Sequence, residues 1–270
     1  RWDAFGFVHG VLNTDNWTLD GATIDFGPYA FVEATDHTDL SPNLSDRARR
    51  YRRSRQPAAA AFALEKLAES LGEDASRAVD AFERAYAADR RRLVCAKLAL
   101  PDDDDSAQDL FDAAVTIAER AGLDYTGFWR GLVDDDFVLE DDVDHHSWVS
   151  WRREWRERRQ AFERRDPRAA VAALDTARRE HNPRFVLRNH AVHEAVVEFL
   201  ETDEPTTLLA LHRAATDPFG LQKTSRDDRG RFFADVPAHL LAPPADDGGP
   251  PLASGSRRRR PLRAGVDLLS

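Results

Sequence analysis

The chain has 270 residues, 42% of them hydrophobic, enough to bury a sizeable core as one large domain or two small ones. It has no apolar run of about 18 or more residues, which excludes a membrane-spanning helix. Its single cysteine, Cys95, excludes an intrachain disulfide and a cysteine-based zinc site. The net charge is −10, carried by 33 Asp and 15 Glu against 35 Arg and only three Lys, which argues against nucleic acid as a partner.

An Asp-rich, Lys-poor surface suits a protein soluble in concentrated salt, because carboxylates hold water where charge repulsion is screened. A GC-rich genome favouring Arg codons over Lys codons accounts for the same pattern. The chain starts with neither Met nor a basic-plus-apolar leader, so nothing marks export, and a cytoplasmic location is expected.

From His9 to Pro28 the chain reads HGVLNTDNWTLDGATIDFGP. Trp17–Leu19 and Ala22–Ile24 are short strand-like runs, and Asp20-Gly21 between them is a two-residue hairpin signal. A two-residue loop would place Leu19 opposite Ala22, Trp17 opposite Ile24 and Asn16 opposite Asp25. Directly opposed residues have Cβ atoms roughly 4.5–5.5 Å apart, so the Asn16 amide oxygen and the Asp25 carboxylate could share one hard cation. Asp15 lies next to them. One acid to receive a hydroxyl proton, with an Asn/Asp pair for Mg²⁺, is the layout of phosphoryl or nucleotidyl transfer. Plain turn chemistry also uses Asp, Asn and Gly at such places. His9 reads as a hydrogen-bonded residue that positions this loop rather than as a base.

After loop-like residues Tyr29–Tyr51 the apolar spacing becomes helical. Helices are predicted over Ala58–Leu71 and Ser76–Leu98, with Gly72 as the stop between them, and over Ser106–Ala121 with Gly122 at its end. Asp124 starts another short helix. Residues Asp134–Asp144 form an acidic linker, and His145-His146 beside it lacks helical metal-ligand spacing. The next helix, Ser147–Glu163, carries Trp148, Trp151 and Trp155 as a packing stripe. Further helices are predicted over Arg168–Arg179, Pro183–Leu200 and Thr206–Ala215, with Asn182-Pro183 as N-cap and first helical residue and Arg188 and Asn189 as buried polar anchors. Cys95 reads as a buried helix thiol. Residues Pro243–Ser270 are rich in Pro, Gly and Arg and read as disordered, or as a shifted reading frame.

The hairpin segment loosely resembles a protein-kinase catalytic loop followed by Asp25-Phe26-Gly27, although Asn16 follows Asp15 immediately rather than several residues later. It is far more similar to the selenoprotein O family, whose run reads approximately HGVMNTDN and then TIDYGPF. Here these stand as His9–Asn16 and Thr23–Tyr29. The resemblance continues in order through Asn43-Leu44-Ser45-Asp46, Arg49, Tyr51, Gln56-Pro57, Ala63–Ala68, Asp124-Tyr125-Thr126 with Phe128, Arg130 and Leu132, and Asn182–Asn189. Leu44 departs from the family pattern. The ordered series, from about Arg1 to Leu221, argues against isolated turn chemistry.

The resemblance implies an α+β, mostly α fold: a protein-kinase-like C-terminal lobe, residues 1–240, carrying the hairpin on a helical domain; residues 241–270 depart from the family and read from their composition as a disordered tail. It implies AMP transfer from ATP to Ser, Thr or Tyr hydroxyls of protein substrates, with Asp15 as general base and Asn16 and Asp25 holding Mg²⁺ against the nucleotide, Asp25 thus also binding the cofactor. The family supplies its Gly-rich loop and nucleotide lysine from residues before the catalytic loop. Lys66 and Lys97 are helical and Lys223 lies in a polar loop, so the chain reads as the C-terminal part of a longer protein, inactive by itself. The family's cysteine- or selenocysteine-containing tail has no counterpart. A kinase-like phosphotransferase and a catalytically silent binding or scaffold fragment are the alternatives.

Overall fold

The computed structural model describes residues 1–33, 40–135 and 145–220. The tail at 241–270, Lys223 and most of the acidic linker lie outside the described residues. The fold is mostly helical, as expected: α1 (Gln56–Leu71), α2 (Ala75–Leu98), α3 (Ala107–Arg120), α4 (Tyr125–Asp134), α5 (His145–Arg165), α6 (Pro167–Thr176), α7 (Asn189–Thr202) and α8 (Thr206–Thr216). Among the described residues no helix is long and apolar enough to cross a membrane. The one sheet described is a two-stranded antiparallel ribbon of β1 (Phe7–Val8) and β2 (Ala30–Phe31), with Phe7 opposite Phe31 and Val8 opposite Ala30.

Local chemistry sets most helix ends. Asp74 caps α2 by accepting from the Ser76 and Arg77 amides, Asp124 caps α4 through Gly127, and Asp166 caps α6 through Ala169. Gly72 ends α1 in the left-handed conformation that costs glycine least. Part of the aspartate excess is therefore spent on capping.

The C-terminal half of α2 packs with α3, α4 and α5 around Val94, Leu98, Leu110, Phe111, Phe128, Trp129 and the three tryptophans of α5. The Trp stripe is core, as its spacing predicts. Phe111 and Trp129 stack at 4.6 Å between centroids. The Trp151 indole N–H donates to the Leu110 carbonyl at 2.7 Å and that of Trp155 to the Leu98 carbonyl at 2.9 Å, so these large rings are buried without stranding their polar atoms. Cys95 is fully buried in the same core, and burial pushes its thiol up to about 11, which makes it inert at neutral pH.

Two of the predicted helices differ, and β2 lies within the Tyr29–Tyr51 segment that reads as loop. The Arg168–Arg179 helix gives way to a π-helical turn at Ala177–His181, closed by the Asn182 amide donating to the Ala177 carbonyl at 2.8 Å. The helix predicted from Pro183 starts only at Asn189, because the Arg184 and Phe185 amides donate instead to the Pro218 carbonyl at 2.7 and 3.1 Å. Asn182 is thus no N-cap. It is wholly buried, and its side-chain amide donates to the Lys97 carbonyl at 2.9 Å.

Trp151→Ala is expected to cost about 3–5 kcal/mol, through lost burial and the cavity left behind. Val149→Ala, at an exposed position of the same helix, should change stability by no more than about 0.5 kcal/mol. Urea unfolding of both variants checks the core assignment.

Candidate active site

Between β1 and β2 the chain leaves the sheet at His9 and returns at Tyr29. Gly10 starts the excursion with φ 84°, and a Cβ there would lie 2.8 Å from the Pro28 carbonyl oxygen, so only glycine lets the outgoing and returning strands pass this closely. Thr14–Asn16 form a 3-10 turn that places Asp15 at the surface and buries Asn16.

His9 is completely buried and joins three pieces of the site. Its backbone N–H donates to Gln56 Oε1 at 3.0 Å. Its Nδ1 accepts the Val11 amide at 3.2 Å, and Nε2 lies 3.0 Å from the Ile24 carbonyl. An Nδ1 that accepts carries no proton, so Nε2 carries it and donates to Ile24. Burial pushes the His9 pKa down, outweighing the opposing effects of the Ile24 carbonyl and the Asp25 charge. His9 is a neutral positioning group, as its setting in the sequence suggests.

The hairpin forms with a different register from the one expected. Thr18 N–H donates to the Ala22 carbonyl at 3.0 Å and Ile24 N–H to the Asn16 carbonyl at 3.2 Å, with Trp17 bridged to Thr23. The loop is therefore three residues, Leu19-Asp20-Gly21, with Gly21 at φ 83° and its amide on the Thr18 carbonyl. Asp20 selects this loop: its carboxylate accepts the Ala22 amide and the Thr18 hydroxyl, which also holds its pKa below the usual range. Asn16 consequently faces Ile24, and Asp25 lies one residue beyond the last pair, in the left-handed region at φ 58°.

Asp15 and Asp25 are both exposed, and among the described residues neither makes a hydrogen bond or ion pair. Asn16 Nδ2 donates inward to the Val11 carbonyl at 2.8 Å, which leaves Oδ1 as the free end of the amide. Among the described residues no three His, Cys, Asp or Glu side chains form a metal cage. An all-oxygen Asn/Asp pair fits Mg²⁺ rather than a cage-bound metal, because Mg²⁺ keeps waters and takes one or two carboxylates beside substrate phosphates.

The loop around these residues is held by side chains within the recognised motifs whose roles were not assigned. Gln56 Nε2 donates to the Phe7 carbonyl at 3.0 Å while its Oε1 holds His9, so one buried amide ties α1 to β1. Asn43 donates to the Gly10 carbonyl at 3.2 Å, and the Tyr51 hydroxyl donates to Asn13, two residues before Asp15. Phe26 covers the His9 ring at 5.4 Å between centroids.

The family model described as protein adenylyltransferase SelO matches residues 1–216. The chain belongs to the SelO family. It is similar to proteins named protein nucleotidyltransferase YdiU: 33% identical over 242 residues to that of Cupriavidus metallidurans, covering 78% of this chain and 43% of the relative. The Chromohalobacter salexigens protein is 34% identical, covering 87% and 47%, and the Xylella fastidiosa strain Temecula1 protein 36% identical, covering 82% and 46%. This SelO chain spans about half the length of the curated relatives it matches.

The buried neutral state of His9 gives stability a pH dependence. With the folded pKa below the unfolded value of about 6.5, the unfolded chain takes up the proton first, so stability is lost as pH falls from about 6.5 toward the folded pKa. His181, also pushed down by burial, adds to this loss. Thermal unfolding followed from about pH 8 to about pH 5 should show it, with a shallower decline in His9→Gln. A decline equally steep in that variant would remove His9 from the account.

Proposed function

We propose that this chain is the catalytic-loop portion of a Mg²⁺-dependent protein adenylyltransferase with a protein-kinase-like C-terminal lobe, transferring AMP from ATP to Ser, Thr or Tyr hydroxyls of protein substrates. Membership of the family supports the reaction class. The observation that carries the reading is the set of three uncommitted oxygen groups, Asp15, Asn16 Oδ1 and Asp25, on a loop whose two arms are joined through His9 and Ile24.

Asp15, exposed beside Asn16, would accept the proton of the acceptor hydroxyl. That oxygen then bonds the α-phosphorus of ATP as the bond to pyrophosphate breaks. Asn16 and Asp25 are the residues that would hold Mg²⁺, which when bound offsets charge on the triphosphate. Asn16 is buried with its Nδ2 end held by the Val11 carbonyl, while Asp25 is exposed.

Neither described lysine is offered to a triphosphate: Lys66 is engaged by Glu65 and Glu69, and Lys97 is buried with its ammonium on the His181 carbonyl. Grip on the nucleotide then falls to the part of the family's length that this chain does not span, and the 270 residues alone should give no transfer.

The test is the intact mass of an acceptor protein incubated with ATP, Mg²⁺ and a version extended to the relatives' full length. Gain of an adenylyl group supports the proposal, and gain of a phosphoryl group or of nothing refutes it. In that protein Asp15→Ala should lower transfer by about 10²–10⁴-fold, the usual worth of a general base, and leave Mg-nucleotide binding nearly intact. Asp25→Ala should weaken binding itself. Equal loss of binding in both variants would refute the assigned roles.

A further inference from the structure

Asp25 is held at a distance from its own neighbours in sequence. On one side, Ile24 is bonded to Asn16 and His9. On the other, the chain re-enters the sheet through Tyr29, and Tyr29 is gripped twice by residues about 160 positions away. Its carbonyl accepts Asn189 Nδ2 at 2.7 Å, and its hydroxyl donates to the Leu187 carbonyl at 3.2 Å.

Those gripping residues are themselves fixed. Between them, Arg188 makes a two-pronged ion pair with Asp124, at 2.7 and 2.9 Å, with both side chains largely buried. Asp124 is also the cap of α4, whose first residue, Tyr125, donates its amide to the Glu33 carbonyl just past β2 at 2.9 Å. The Arg188–Asp124 pair thus ties the N-terminus of α7 to that of α4, behind the turn that carries Asp25.

We propose that Asn189 and Tyr29 are positioning residues for Asp25: they clamp the far end of the 24–29 turn, so that the carboxylate stays aimed where the cation would bind. The inference rests on the reading of Asp25 as a metal ligand. Two observations favour a dedicated clamp over ordinary packing. Asp25 occupies the left-handed region at φ 58°, a conformation uncommon for a non-glycine residue, and the chain is bonded on both sides of it, at Ile24 and at Tyr29. Among the described residues Asn189 Oδ1 is buried with no hydrogen-bond partner, so the bond this side chain makes here is the one its donor end gives to Tyr29. With Tyr29 released, the turn can relax to ordinary extended backbone, and the carboxylate swings away with it.

The experiment uses the 270-residue chain, with Mn²⁺ as the probe ion and two readouts, Mn²⁺ affinity by electron paramagnetic resonance and backbone amide exchange. Asn189→Asp keeps the shape and removes the donor, and Tyr29→Phe removes only the hydroxyl. Both should speed exchange of the Ile24 and Tyr29 amides by about tenfold without changing exchange in α3 and α4, as local opening does. Both should also weaken Mn²⁺ binding by about three- to tenfold, a coupling between distant groups of roughly the usual size. Asp25→Ala should abolish the binding.

Parent-like exchange at Ile24 and Tyr29 in both variants would overturn the clamp. So would equal acceleration throughout α3 and α4, which marks a general structural role. If the parent takes up no Mn²⁺, or Asp25→Ala binds it as well as the parent, the metal reading fails. The exchange result then decides the clamp by itself: acceleration confined to the turn sustains it, and none overturns it.

Discussion

A neutral imidazole bonded on both nitrogens, at His9, is the joint of this site. Val11 fills Nδ1, the Ile24 carbonyl takes the Nε2 proton, and Gln56 holds the backbone of the same residue. Those three bonds connect the loop bearing Asp15 and Asn16, the turn bearing Asp25, and α1. A charged imidazolium could not accept from Val11, so protonation breaks the joint at its first bond. Burial makes that protonation costly, and the packing of Trp2, stacked, and Phe26, tilted, against the ring helps to keep water away. The loop can therefore present uncommitted carboxylates at the surface because its internal bonds are completed underneath, where solvent does not compete.

Behind the joint, arginine–aspartate contacts set the relative placement of helices more than they add stability. Asp134 receives Arg130 at 2.7 Å, Arg178 at 3.2 Å and Arg184 at 3.0 Å, joining the end of α4 to the π-helical turn and to the extended segment that leads to α7. Arg178 and Arg184 are part-exposed, and partly solvated pairs of this kind are worth roughly 0–1 kcal/mol each. Their value here is register: they fix where Arg188 and Asn189 arrive. Lys97 serves the same end from inside. Its ammonium bonds the His181 carbonyl at 3.0 Å and lies 5.4 Å from the Trp129 ring centroid and 5.5 Å from that of Phe5, while burial pushes its pKa well below the lysine range.

The helices were legible in the sequence because their signals are local. Asp74, Gly72, Gly122 and Asp124 mark ends by chemistry confined to one turn, and the Trp148, Trp151 and Trp155 spacing specifies one buried face. The site was legible as a set of residues but not as a geometry. Asp20-Gly21 serves a two-residue or a three-residue loop equally well, and the choice falls to the Asp20 carboxylate on Thr18 and Ala22, which shifts the pairing by one. β1 and β2 have two residues each, too few to show a period, and they pair across the 21 intervening positions 9–29. The segment after Pro183 has helix-like spacing, yet the Pro218 carbonyl takes its amides, and nothing near Pro183 in sequence announces that acceptor.

The tautomer and charge of His9 carry the whole arrangement, and nitrogen-15 NMR of the imidazole reads both directly. At a pH of about 6.5, where an unperturbed histidine is half protonated, the account predicts a neutral ring with its proton on Nε2 and an unprotonated, hydrogen-bonded Nδ1. A ring protonated on Nδ1, or an imidazolium at that pH, would contradict it, because either state breaks the bond from Val11 on which the joined loop and turn rest.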